Sequence, residues 1–324
     1  MARFSPLMAS LPLLISLMSA TFQAQANNQL PDIGTAGVAA LPIEQEVRYG
    51  NAFMRFARAG LPIIDDPVLS EYIDDLGQRL LTNADGVRFP FTFFLINDPS
   101  INAAAFLGGR VKVHTGLFLY ADNESELASV LAHEITHVTQ RHIARYMEAQ
   151  ASSSAMTLAG LVGSIALAVI NPTAGIAALQ TTLGLSMQSA INYTRDNEYE
   201  ADRIGMKTLY DAGFDPMGMA SFFQKLAAEY RYASKPPEML LTHPLPEIRI
   251  SEARGRANSY GRRSLPPSLD FWLAKVRIQV RYGTESPQAL LTYFDSRLQK
   301  GDYPLKDAAT YGKALALLQL KRTD

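Results

Sequence analysis

No cysteine occurs anywhere in the 324 residues. That excludes a disulfide and any thiolate-ligated metal, so a metal held by this chain must be held by His, Asp or Glu. Net charge is almost absent too: 30 Lys and Arg stand against 31 Asp and Glu, leaving -1. So even a balance gives no reason to expect nucleic acid as a partner. A third absence is local. Residues 149–194 contain no Asp, Glu, Lys or Arg. Asn171-Pro172 divides this stretch into two apolar arms, each shorter than the ~20 residues a bilayer span needs. The arms read as a helical hairpin buried against the domain. The functional alternatives are a mobile lid, or a surface offered to a membrane or to an unfolded client.

What is present begins with an export signal. Arg3 supplies a short positive start, Leu7 to Phe22 is apolar and uncharged, and Ala24-Gln25-Ala26 is a small-residue cleavage site. The pattern is that of a secretory signal peptide over residues 1–26, cleaved after Ala26, rather than an uncleaved anchor. In a Gram-negative cell the product would be periplasmic. The remaining length suits one large domain or two modest ones.

Asp66-Pro67 has the chemistry of a helix start, with Asp66 as N-cap. The aromatic and branched run Phe91–Ile96 predicts a strand. Asn102–Phe106 and Arg110–His114 predict two more, joined tightly at Gly108-Gly109. Glu124–Glu148 has no Gly or Pro and reads as one continuous helix. Downstream, helical patterns cover Arg195–Ala212, Met219–Tyr232 and Glu247–Ala257, then Phe271–Tyr282, Pro287–Gln299 and Leu305–Leu320. Thr242-His243-Pro244-Leu245-Pro246 is a proline-braced loop within residues 234–248.

The chemistry centres on His133-Glu134-Ile135-Thr136-His137. Residues four apart share a helix face, so His133 and His137 can present two imidazoles to one metal ion. Glu134 lies about 100° round the helix, beside the ion, where it can take a proton from water. H-E-x-x-H is short, and two ordinary histidines are the bland alternative. A third ligand must be found. On a continuous helix His142 points about 180° from His133 and reads as a surface histidine. The run Glu198-Tyr199-Glu200-Ala201-Asp202 is better. Glu198 and Asp202 share a face, so one can bind the metal while the other receives the N–H of a ligating histidine. Glu200 lies on another face and is the weaker choice. A solvated acidic run beside Arg195 and Arg203 is the bland reading.

H-E-I-T-H, E-Y-E-A-D, T-H-P-L-P-E-x-R and the N-A-A-A-F-L-G-G run at Asn102–Gly109 together resemble the M48 family of zinc metallopeptidases. The resemblance runs from about Leu41 to the C-terminus. It implies an α+β, mainly helical fold with a thermolysin-like zincin (gluzincin) core and a small sheet. It implies one zinc ion per chain, on His133, His137 and Glu198. Glu134 would be the general base and Asp202 a supporting catalytic residue. His243 would be a regulatory fourth ligand that occupies the open zinc position. The peptidase domain would cover residues 27–262, with C-terminal helices over 263–324.

The function implied is quality control of outer-membrane proteins: degrading stalled chains and assisting barrel assembly. Unfolded or stalled outer-membrane proteins and the barrel-assembly machinery are the expected partners, with peripheral membrane contact through 149–194. Relatives of this kind continue into a tetratricopeptide array, of which Ala308, Tyr311, Ala314 and Leu317 resemble a first helix. Other classes stay open: an assembly factor with a silent zinc site, or a purely structural zinc domain.

Overall fold

The computed structural model describes residue 37 and residues 41–149, 155–183, 187–232 and 237–322. The signal sequence therefore lies outside the described residues. Among the described residues, two helices precede the sheet, α1 (Ile43–Gly60) and α2 (Pro67–Leu81). The α2 start follows its sequence: Pro67 occupies the first turn, and Oδ1 of Asp66 accepts the Val68 N–H at 3.2 Å.

Three strands follow: β1 (Thr92–Ile96), β2 (Ala103–Phe106) and β3 (Arg110–His114). Their order is β1-β3-β2, with β1 parallel and β2 antiparallel to β3. Gly108 and Gly109, at φ 69° and 71°, make the connection, because side chains resist that backbone region. Side chains alternate between the faces of a strand. Phe93, Leu95, Val111 and Val113 therefore enter one buried cluster, while Phe94, Ile96, Ala104 and Phe106 enter a second. Both faces are covered, which is why β1 reads as an unbroken apolar run.

After β3 come α3 (Thr115–Tyr120), α4 (Glu124–Thr139) and α5 (His142–Ala149). Asn123 caps α4 by accepting the Glu126 N–H at 3.1 Å. Nearly every residue of α4 is buried. The continuous helix expected over Glu124–Glu148 is broken at Gln140-Arg141. Arg141 takes φ 54°, the left-handed region, and the chain restarts in a new direction. Such a conformation costs a non-glycine residue about 1–3 kcal/mol unless its surroundings hold it. Here they do. The buried Arg141 guanidinium donates to Oε1 of Glu46 on α1 at 2.9 and 2.7 Å and also to the Leu41 carbonyl.

The uncharged region forms α6 (Ala155–Ile170) and α7 (Pro172–Leu183), two packed helices broken at Asn171 as expected. Ile165 and Val169 of α6 pack into the second cluster against Ala104 and Phe106 of β2. No helix among the described residues is long and apolar enough to cross a membrane.

The long α8 (Met187–Asp211) packs against α4. Gly205 permits the close approach: a Cβ there would lie 3.1 Å from the Ala132 carbonyl oxygen and the His133 nitrogen. Then follow α9 (Met217–Tyr232), the short α10 (Glu238–Thr242) and α11 (Glu247–Tyr260).

Three final helices, α12 (Leu269–Tyr282), α13 (Pro287–Lys300) and α14 (Lys306–Gln319), share a small core around Val276, Leu290, Phe294 and Ala308. They are tied to the rest through Asp66. Its carboxylate accepts from Nε of Arg277 at 2.9 and 2.8 Å and from the Tyr282 hydroxyl at 3.2 Å. Arg277 in turn donates to the Tyr311 hydroxyl at 2.7 Å. The described residues form the mainly helical α+β, zincin-like arrangement that the resemblance implies.

Candidate metal centre

Helix α4 carries two of the five histidines on one face, and α8 lies across it. Nε2 of His133 and Nε2 of His137 are 3.0 Å apart. The Glu198 carboxylate, from α8, is 3.3 Å from each. His243, just past α10, brings its Nδ1 to 3.0 Å from Glu198 and 3.3 Å from Nε2 of His133. One ligand atom from each of these four residues lies within 4.8 Å of the others.

Whether a cation suits the place depends on where the lone pairs point. Nδ1 of His133 is 3.0 Å from Oδ1 of Asp202, an oblique contact. That carboxylate favours a proton on Nδ1, which turns the Nε2 lone pair of His133 towards His137 and Glu198. Imidazole lone pairs and a carboxylate then converge in a buried place, and a metal ion satisfies them all.

The local field differs from one ligand to the next. Burial opposes charge on His133, but Glu198 and Asp202 overcome it and hold its pKa near 10. Burial wins at His137, whose pKa falls to about 3. Burial would lift Glu198, yet His243, Arg249, His133 and His137 hold it well below the usual carboxylate range. Positive charge is thus favoured on His133, between Glu198 and Asp202, and disfavoured on His137.

Glu134 stands beside this group and is not part of it. Its Oε2 accepts the Ala105 N–H of β2 at 2.8 Å, and its Oε1 is 3.3 Å from Nε2 of His243. Ala105 belongs to the outer strand of the sheet, so Glu134 engages the free edge of β2. Burial raises the Glu134 carboxyl above the usual range, with His243 and His133 offsetting only part of that. A raised carboxyl is what a general base working near neutral pH needs. Next to these groups opens a cavity of about 230 Å³, walled largely by Ile143, Tyr146, Ile165 and Val169.

Two residues take places that the sequence did not suggest. Arg249, from α11, is 2% exposed. Its Nη1 is 2.8 Å from Glu198, and its Nε and Nη2 are 2.7 and 2.8 Å from the two oxygens of Asp202. It also donates to the Pro244 carbonyl at 2.6 Å, which ties the His243 loop to the site. Its only sequence signal is its place at the end of T-H-P-L-P-E-x-R. His142, expected at the surface, is 3% exposed and packs under His137. The left-handed turn at Arg141 is the reason, because it cancels the rotation a continuous helix would have imposed. Glu200, read as the weaker candidate, faces His142 and not the ligand group.

The loop that delivers His243 is fastened at its start as well. Glu238 accepts from Nδ2 of Asn102 at 3.2 Å and from the Ser100 hydroxyl at 3.4 Å, beside the beginning of β2.

Comparison with known proteins adds a lineage to this geometry. The profile described as Peptidase family M48 matches residues 67–257. The chain is 56% identical over 296 residues to a putative beta-barrel assembly-enhancing protease of Vibrio cholerae, covering 91% of this chain and 61% of that protein. It is 48% identical over 301 residues to the beta-barrel assembly-enhancing protease of Escherichia coli strain K12, covering 93% and 62%. A more distant relative from the same strain, metalloprotease LoiP, is 28% identical over 208 residues, covering 60% and 74%. The chain thus spans about three fifths of the length of the assembly-enhancing relatives it matches.

Proposed function

The chain belongs to peptidase family M48, and from that premise we propose that it is a periplasmic zinc metalloendopeptidase that removes misfolded or stalled outer-membrane proteins. The observation that carries the reading is the convergence of His133, His137, Glu198 and His243 beside a carboxylate that is not among them. His133, His137 and Glu198 hold the ion, and Asp202 orients His133. When bound, zinc supplies Lewis acidity, polarising a peptide carbonyl and lowering the pKa of water. Glu134 takes the proton of the attacking water and passes it to the leaving amine. An extended substrate pairs with the free edge of β2, displacing Glu134 from the Ala105 N–H. Unpaired barrel strands are suitable substrates for such an edge. The names of the assembly-enhancing relatives support the same substrate class.

His243 regulates the site. Its Nδ1 faces the ligand group while its Nε2 faces Glu134, so in this position it fills the place of the water and contacts the base as well. That closed arrangement also favours a second reading, an assembly factor whose zinc site stays silent. Residues 1–26 direct export and are removed. Residues 27–262 form the peptidase domain, and 263–324 form a C-terminal extension towards partners in the barrel-assembly pathway. The apolar α6–α7 pair offers peripheral membrane contact.

Casein cleavage by the mature protein, beside Glu134→Gln and His243→Ala, tests this. Loss in the first variant and a gain in the second support the restrained peptidase. No cleavage by zinc-loaded protein or by His243→Ala would leave the assembly-factor reading.

A further inference from the structure

Each of the two histidines on α4 has something behind it, and the two arrangements differ. Behind His133 stands Asp202, gripped by Arg249. Behind His137 stands another histidine. Nδ1 of His137 is 2.9 Å from Nδ1 of His142. Nε2 of His142 is 3.2 Å from Oε2 of Glu200, and the same oxygen accepts from Nη1 of Arg145 at 2.7 Å. His142 is buried and lines the neighbouring cavity together with His137.

The proton positions along this chain follow from one end. If Nε2 of His137 faces the ion, its proton is on Nδ1 and is donated to Nδ1 of His142. His142 then carries its own proton on Nε2, where Glu200 accepts it. Each group has one partner of the right kind, and the opposite order would turn an N–H of His137 towards the ion. Arg145 fixes the acceptor at the far end, as Arg249 does for Asp202.

We propose that His142 and Glu200 are positioning residues for the metal centre, a relay that fixes the tautomer and ring orientation of His137. The left-handed Arg141 is what makes the relay, since it turns α5 back beneath α4. One helix, α8, then supplies the metal-binding carboxylate and both backing carboxylates: Glu198, Glu200 and Asp202. The inference rests on the reading of His137 as a ligand.

Outer partners of metal-bound histidines typically contribute 10–100-fold in metal affinity. The experiment is zinc affinity by competition with a chromogenic chelator, measured on the mature chain. His142→Phe keeps the ring volume and removes the acceptor, and should weaken zinc binding about 10–100-fold. Glu200→Gln, whose amide oxygen still accepts from His142, should lose much less than Glu200→Leu. The double variant His142→Phe/Glu200→Leu should be no worse than His142→Phe alone, because both cut the same chain. Thermal unfolding of the chelator-treated proteins separates a merely structural role, which would lower the melting temperature and leave zinc affinity in place. Affinities unchanged in a folded His142→Phe, or losses that simply add in the double variant, would overturn the relay. If His142→Phe does not fold, the ranking of Glu200→Gln against Glu200→Leu decides. A parent that binds no zinc, or binds it equally after His137→Ala, sinks the underlying ligand assignment instead.

Discussion

Replacing Arg249 by Met should destabilise the protein most when no metal is bound and the pH is high. The parent guanidinium faces Glu198 at 2.8 Å and both oxygens of Asp202 at 2.7 and 2.8 Å, and all three residues are buried. Removing one partner of such a group leaves uncompensated buried charge, a loss of about 3–5 kcal/mol. At roughly 2 °C per kcal/mol for a chain of this size, the chelator-treated variant should melt about 6–10 °C below the parent at pH 8.

The pH dependence has a definite sign. In the parent, burial raises both carboxyls but Arg249 and the histidines win, so both folded pKa values lie below their ordinary ones. Their contribution is present above the unfolded pKa and is lost as the pH falls through the folded values. Without Arg249, burial is opposed only by His133, His137 and His243, and the folded pKa values rise. The variant then relieves its buried charge by taking up protons. The deficit should therefore shrink between pH 8 and pH 5, and saturating zinc should reduce it too, because the ion faces Glu198. Calorimetry across that range, with and without zinc, is the assay. A deficit under about 2 °C at pH 8, or one that does not change with pH, would refute the reasoning.

Three other perturbations test other parts of the structure. Ala105→Pro deletes the N–H that Glu134 accepts; peptide cleavage should fall while zinc content by atomic absorption stays at one per chain, and unchanged cleavage removes edge pairing from the mechanism. Asp66→Ala removes both a helix cap and the Arg277 pair, together about 2–4 kcal/mol; limited proteolysis should then release α12–α14 early. Arg277 outweighs burial and keeps the Asp66 pKa low, so in the parent the same loosening should appear only as the pH falls below about 4. Gly205→Val forces a branched side chain against the backbone of α4; zinc affinity should drop at least ~10-fold as α8 moves off the histidines, and an unchanged affinity would mean the helix gap absorbs it.

Much of this was legible in the sequence because its signals are local. Spacing of four places His133 with His137 on α4, and Glu198 with Asp202 on α8, whatever surrounds them. The cap at Asp66, the break at Asn171 and the aromatic and branched run of β1 depend on the residues themselves. What could not be read depends on distant partners. Arg141 carries no glycine-like signal. It adopts its left-handed turn because Glu46 and Leu41, far away in the chain, hold its guanidinium, and His142 changes from surface residue to buried neighbour as a result. Arg249 looks like any helical arginine until α11 is laid across α8.

Helix α4 has almost no solvent face, and two of its hydroxyl side chains turn back on the helix itself: Ser129 to the Glu126 carbonyl and Thr136 to the Ala132 carbonyl. Its amides therefore have no local route to water. Their hydrogen exchange should be as slow as global unfolding permits, whereas the α10–His243 segment, tied down by a few polar contacts, should exchange through small openings. The two halves of the site then differ in kind. The histidine platform should exist whole or not at all, formed in the same cooperative event as the fold, whereas the loop above it should open without the fold.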